Sequence, residues 1–169
     1  MNAIPFDYRP EQPSDAAAVE ALHAEVFGPG RFARAAFRLR EGVPHDPDLS
    51  LVATVGGKLA ASVRLTPIRI GTVPALLLGP LVVAPPYAGR GAGRTLVRKS
   101  LAAAKERGHR LVLLVGDEPY YGALGFSRLP PYAVTLPGPV DPARVLIASL
   151  APNAAVGLTG AAERAPPPR

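Results

Sequence analysis

The chain has 169 residues, 48% of them apolar, and nineteen basic against thirteen acidic side chains give it a formal charge of +6. That length fits one domain with a sizeable core, no apolar run nears the roughly 20 residues that cross a bilayer, and the absence of cysteine excludes a disulfide framework, thiolate metal sites and a cysteine nucleophile. The charge admits nucleic acid, an acidic surface or a polyphosphate, but aromatics are only 6% and do not alternate with basic residues as in nucleic-acid binders.

Residues 1–10 contain two prolines and an acidic residue but no apolar segment, so they do not read as a signal peptide and the expected location is the cytoplasm. Ser14 has the character of an N-cap, with Asp15 in the first turn. Val19, Leu22 and Val26 follow at helical spacing until Gly28-Pro29-Gly30 ends the element. A second helix is predicted over residues 31–41, with Phe32, Ala36 and Leu39 inward, and residues 42–48 read as a loop.

Two strands, 49–55 and 59–67, flank the turn pair Gly56-Gly57 as a hairpin. Ala61, Val63 and Leu65 alternate with Ser62, Arg64 and Thr66, which predicts one buried and one solvated face. A third strand is expected over 68–72 and a strongly apolar one over 75–83. Gly79-Pro80 sits in the middle of the latter and predicts a bulge, or a parting from a neighbour, because proline cannot donate to a ladder.

Leu96, Val97, Leu101 and Ala104 place a helix over 94–107, closed by Gly108. Leu111–Val115 reads as a buried strand, parallel to the 75–83 strand through that crossover helix. Asp117-Glu118-Pro119 has the composition of a helix start. Residues 120–124 form a short helix that stops at Gly125, and prolines at 130, 131, 137, 139 and 142 imply extended pieces or turns. Residues 1–150 therefore read as one α/β domain, and 151–169, rich in Ala, Gly and Pro, as a weakly ordered tail.

Gly89, Gly91 and Gly93 lie between a strand and a helix, with Arg90, Arg94, Arg98 and Lys99 beside them. N–H groups and the helix dipole make such a junction a natural phosphate cradle, and glycine lets a ligand approach the backbone. A Walker loop would need glycine at 88 and lysine at 94, where Ala88 and Arg94 stand. A dinucleotide fingerprint would need glycine at 94 or 96, where Arg94 and Leu96 stand. An ordinary glycine-rich turn is the alternative.

The loop resembles the CoA-binding loop of the GNAT superfamily, Gln/Arg-x-x-Gly-x-Gly/Ala, with Gly91 and Gly93 as its small residues and Ala88 in place of the leading Gln or Arg. Tyr121-Gly122-Ala123-Leu124-Gly125-Phe126 is similar to the family's Tyr-x-x-x-Gly-Phe motif, and the run from Gly116 to Tyr121 resembles the YhbS-like bacterial branch. This resemblance covers roughly residues 4–150. It implies a GNAT fold, a mixed, mostly antiparallel sheet with a splayed parallel strand pair and flanking helices.

It also implies acetyl-CoA as cosubstrate and an amine of a small molecule or protein as acceptor. By resemblance, the main chain of Leu81, Val82 and Val83 pairs with pantetheine. Phosphates rest on Gly89, Arg90, Gly91, Ala92, Gly93 and Arg94. Tyr121 is the general acid, with purely structural packing as its alternative, and Tyr120 packs or lines the acceptor site. Many relatives carry a basic Glu on the fourth strand; Leu81–Val83 supply none. Asp117 and Glu118 are the remaining base candidates, although a capping role is favoured for both. His23, His45 and His109 are isolated and carry no metal-ligand spacing. The resemblance implies no metal, no membrane and no nucleic-acid partner. A homodimer is the default assembly, and a non-catalytic acyl-CoA sensor is the competing function.

Overall fold

A computed structural model describes residues 4–166 of the chain. Its strands are β1 (Asp7–Pro10), β2 (Leu51–Val55), β3 (Lys58–Ile70), β4 (Val73–Val83), β5 (Leu111–Val115), β6 (Ser127–Arg128), β7 (Val134–Thr135), β8 (Val145–Ser149) and β9 (Gly160–Arg164). Its helices are α1 (Ala16–Phe27), α2 (Ala35–Arg40), α3 (Ala92–Glu106) and α4 (Glu118–Tyr121). The main sheet runs β1-β2-β3-β4-β5-β8-β6; β9 joins the far end of β3 and also pairs with β7. The β4–β5 pair is parallel, and its neighbours in that order are antiparallel.

Alternation along the strands splits the core into two layers. Val112 and Leu114 of β5 join Leu96, Val97 and Ala104 of α3 on one face. Leu111 and Leu113 join Leu39 of α2, Val134, Leu158 and Ala162 on the other. Each fully buried Leu contributes about 1.5–3 kcal/mol of transfer free energy.

Several local expectations are corrected. Residues 13–15 form a 3-10 turn ahead of α1, and Asp15 is its N-cap residue. Ser14 does not cap the helix: Asp15 instead accepts from the Gln12 N–H and from Arg9. The helix expected over 31–41 is broken, because Arg34 is extended between a 3-10 turn (Pro29–Ala33) and α2. Phe32 consequently points outward, 51% exposed.

The strands expected over 59–67 and 68–72 are one continuous strand, β3. Its second face is covered rather than solvated: Ser62 and Thr66 are buried, and Arg64 is half-buried on Glu11 and Glu20. Residues 151–166, expected to be weakly ordered, contain β9, which pairs with Ile68, Arg69 and Ile70 of β3; residues 167–169 of that tail lie outside the described residues. No helix among the described residues is long and apolar enough to cross a membrane.

Candidate functional site

The site forms where β4 leaves β5. Their pairing is confined to Leu76–Val112 and Leu77–Leu113. Beyond it, β4 carries one extra residue against β3, since Leu65 faces Leu78 while Val63 faces Leu81. The bulge predicted at Gly79-Pro80 is therefore present, and the Gly79–Pro80 peptide is cis. Leu81, Val82 and Val83 stay paired with Val63, Ser62 and Ala61 of β3. Their edge toward β5 has no ladder partner among the described residues, so main-chain groups there can bind an extended ligand.

At the end of β4 the chain passes through a 3-10 turn (Pro85–Tyr87) into the glycine loop. Gly89 and Gly91 have φ of 73° and 89°, a region that L side chains avoid. Gly91 is the N-cap of α3, and no side chain caps that helix. The first N–H groups of α3, from Ala92, Gly93 and Arg94, thus lack intrahelical partners. Gly93 is buried at a close approach: a Cβ there would lie 3.0 Å from the Tyr120 hydroxyl and 3.4 Å from Val83 Cγ2. Arg90 and Arg94 are exposed around this turn, and the Arg94 guanidinium sits 5.3 Å from the Tyr120 ring centroid. The uncapped N–H groups, the cations and the exposed glycines Gly89 and Gly91 make a cradle for a polyphosphate.

The two tyrosines of α4 diverge. Tyr120 lies over Gly93, on the loop side, and is absent from the lining of the cleft described next. Of the two roles allowed by sequence, packing is the one its position favours. Tyr121 packs edge-on against Tyr120 and Phe126 and lies so close over Gly116 that a Cβ there would be 2.5 Å from Tyr121 Cε2. Burial, then the neighbouring Tyr120 and Asp117, push the Tyr121 hydroxyl up to about 12. It stays protonated throughout the physiological range.

On the far side of the splay from α3 lies a cleft of about 710 Å³, within the usual range of small-molecule sites. Tyr121, Leu78, Gly79, Pro80, Leu81 and Gly116 form its floor. Its walls bring together residues that are isolated in sequence. Arg64 of β3 donates to both carboxylate oxygens of buried Glu11, at 2.9 and 3.0 Å, and to Glu20 of α1 at 2.7 Å. His45 Nε2 is 3.2 Å from Glu11, and burial nonetheless lowers the His45 pKa.

His23, 4% exposed, has an Nε2 with no partner among the described residues; burial lowers its pKa to about 4, so the ring is neutral. Burial, the largest single influence, raises Glu20, but the hydrogen bond from Arg64 and the charges of Arg64, His23 and Arg31 together outweigh it, and the net shift is downward. This cluster was not legible beforehand, because Glu11, Glu20, His45 and Arg64 meet only through the register of β3. The two base candidates are otherwise engaged: Asp117 pairs with Arg144 at 3.3 Å and Glu118 with Arg128 at 3.2 Å. Asp117 holds the N-cap position of α4 without making a side-chain cap bond. His109 lies at the opposite end of α3, away from the cleft.

A splayed parallel pair beside an uncapped, glycine-rich helix start agrees with the family comparison, in which residues 7–129 match the model of an acetyltransferase (GNAT) domain. The chain belongs to the GNAT acetyltransferase family. The GNAT chain is 30% identical over 131 residues to an uncharacterized N-acetyltransferase, YjhQ of Escherichia coli strain K12, covering 75% of this chain and 72% of that one. Its fold matches the crystal structure of the GNAT protein YhbS from Escherichia coli in complex with CoA, with TM-score 0.82, 28% identity and coverage of 98% and 92% of the two chains. A GNAT acetyltransferase from Brucella melitensis, in complex with acetyl-CoA, matches with TM-score 0.59 and 29% identity over 85% of this chain and 95% of that one. The likeness to the YhbS-like branch inferred from the Gly116–Tyr121 run therefore holds.

Proposed function

We propose that this GNAT domain transfers an acetyl group from acetyl-CoA to an amine by direct attack, with Tyr121 as the general acid. The observation that carries the reading is the opening of β4 from β5 between two distinct surfaces. On one side stands the uncapped start of α3, on the other the cleft floored by Tyr121. Acetyl-CoA lays its pyrophosphate on the N–H groups of Gly89–Arg94, helped by Arg90 and Arg94. Its pantetheine runs along the free edge of Leu81, Val82 and Val83. Because Ala88 replaces the leading Gln or Arg of the motif, phosphate binding rests on main-chain donors and these two arginines.

The amine enters from the cleft. Its nitrogen bonds to the thioester carbonyl carbon, and the oxyanion is held by main-chain donors near Val83, where fixed dipoles act as charge develops. The C–S bond then breaks, and the thiolate takes its proton from the Tyr121 hydroxyl. The proton lost by nitrogen passes to water, because the cleft carboxylates are held by Arg64, Arg144 and the Ala143 N–H.

Thiol release from acetyl-CoA across an amine panel tests this. Tyr121→Phe should lower kcat by about 10²–10⁴, the usual worth of a positioned acid, with little change in KM for acetyl-CoA; Tyr120→Phe should retain most of kcat. Tight CoA binding without turnover on any amine would sink the catalytic reading in favour of a sensor module.

A further inference from the structure

The cleft on the acceptor side is unusually basic. Five arginines (31, 34, 40, 64 and 144) line it against three carboxylates, Glu20, Asp117 and Asp141. Three of these arginines are hydrogen-bonded or ion-paired within the fold, and exposed Arg34 lies against an aromatic ring. Arg31 donates to the Gly28 carbonyl at 2.6 Å and lies over the Phe32 ring. Arg34 stacks 5.3 Å from the Phe27 ring centroid. Arg64 holds Glu11 and Glu20, and Arg144 pairs with Asp117. The carboxylates are occupied too, since Asp141 accepts from the Ala143 N–H at 2.9 Å.

Arg40 is different. It closes α2 half-buried, and among the described residues its guanidinium has neither a hydrogen bond nor an ion pair. Burial, followed by repulsion from Arg64, lowers its pKa to about 10. A half-buried guanidinium without a protein acceptor depends on water or a ligand for its hydrogen bonds. Arg40 Nη1 also lies only 3.3 Å from where a Cβ at Gly79 would stand. The guanidinium therefore rests on the bulge from which β4 parts from β5, and a side chain at position 79 would crowd it. An unpaired fork of donors facing a small-molecule cleft matches the geometry of a carboxylate or phosphate.

We propose that Arg40 is an anion-binding residue of the acceptor cleft, and that the acceptor is a small amine carrying a carboxylate or phosphate a few bonds from its nitrogen. The separation is bounded by the size of the cleft, about 710 Å³, which both groups border: Arg40 abuts Gly79, and Tyr121 lies beside Gly116. A polyamine or a lysine-rich peptide would meet net repulsion from the five arginines. The substrate class rests on the acetyltransferase reading; the anion site does not.

The test uses two matched pairs, β-alanine with its amide and phosphoethanolamine with ethanolamine. Both are titrated calorimetrically into the full chain saturated with CoA, so that the glycine loop cannot bind the phosphate. The anionic member of at least one pair should bind about tenfold tighter or more than its neutral counterpart. Arg40→Met should abolish that ratio, Arg40→Lys should restore part of it, and neither variant should melt below the wild type, since the guanidinium has no partner to lose. Equal binding within both pairs, or a preference that survives Arg40→Met, overturns the anion site.

Thiol release with the same four amines separates the two readings. Turnover only of the neutral members sinks the anionic acceptor and leaves the acetyltransferase standing. Arg40-dependent anion binding without turnover of any amine sustains the site and sinks the catalytic reading, and with it the acceptor assignment.

Discussion

At the residue scale, the cleft is set by groups whose charge burial has altered. Tyr121 is held neutral up to about 12, so it is ready to give a proton and contributes no titration to the rate below that range. His23 gives a sharper test, because its pKa is depressed to about 4 from 6.5. A depressed imidazole stabilises the fold above its unfolded pKa, and that stability is lost as pH falls from about 6.5 toward 4. The shift from 6.5 to about 4 corresponds to at most about 3.5 kcal/mol at roughly 1.4 kcal/mol per pH unit. The charged groups that face it are Glu20, Arg64, Arg40 and Glu11, and Arg64 holds Glu20 below the usual carboxylate range. His23→Gln should therefore narrow the gap between melting temperatures at pH 7 and pH 4.5 by several degrees. An unchanged gap would show that the imidazole is not buried neutral. None of this was legible in the sequence, where His23 stood alone on a helix; a histidine's partners are fixed by strand register, not by spacing.

At the element scale, the most legible parts were those whose signal is local. The α3 helix, the compact β5 strand, the Gly79-Pro80 bulge and the stop at Gly125 each follow from periodicity or from one special residue. The least legible were the elements decided by tertiary cover. The outer face of β3 looks solvated because Ser62, Arg64 and Thr66 are polar, yet α1 and the Glu11–Glu20 pair close over it. The helix expected over 31–41 breaks at Arg34, where no proline or glycine marks the break. The glycine loop was legible as a cradle, but the reason for Gly93 was not: its lost side chain makes room for Tyr120 and Val83. Gly93→Ala should therefore push Tyr120 off the start of α3. Overpacking of this kind costs typically about 1–3 kcal/mol. The expected readout is a rise of about tenfold or more in the dissociation constant for CoA, with the acceptor KM changing less. Unaltered CoA affinity would mean that the cradle does not depend on this contact.

At the scale of the whole molecule, the α3 face carries the nucleotide loop, while the cleft opens through the splay, with Leu78, Leu114 and Tyr121 from the α3 side and Arg40, Arg64 and His23 from the other. The C-terminal segment belongs to the second face, although its Ala, Gly and Pro content argues for disorder. Leu158 and Ala162 are buried there with Ile68, Ile70 and Leu77, and β9 extends the edge of β3 beyond the end of β2. It also packs against α2, the helix that presents Arg40, and Arg164 approaches Glu41 at 4.0 Å. Removing residues 152–169 should thus do two separable things. Loss of the buried Leu and of the β9 ladder should cost at least about 3 kcal/mol, which for a chain of this size lowers the melting temperature by roughly 6–12 °C. Below that transition α2 loses its backing while α3 keeps its own, so the acceptor KM should rise several-fold and CoA affinity should hold. A melting temperature within about 2 °C of the full chain would show that the segment is dispensable. A parallel loss of CoA affinity would show instead that the two faces are not independent, because damage on the β9 side would then have crossed the sheet to the loop at Gly89–Gly93.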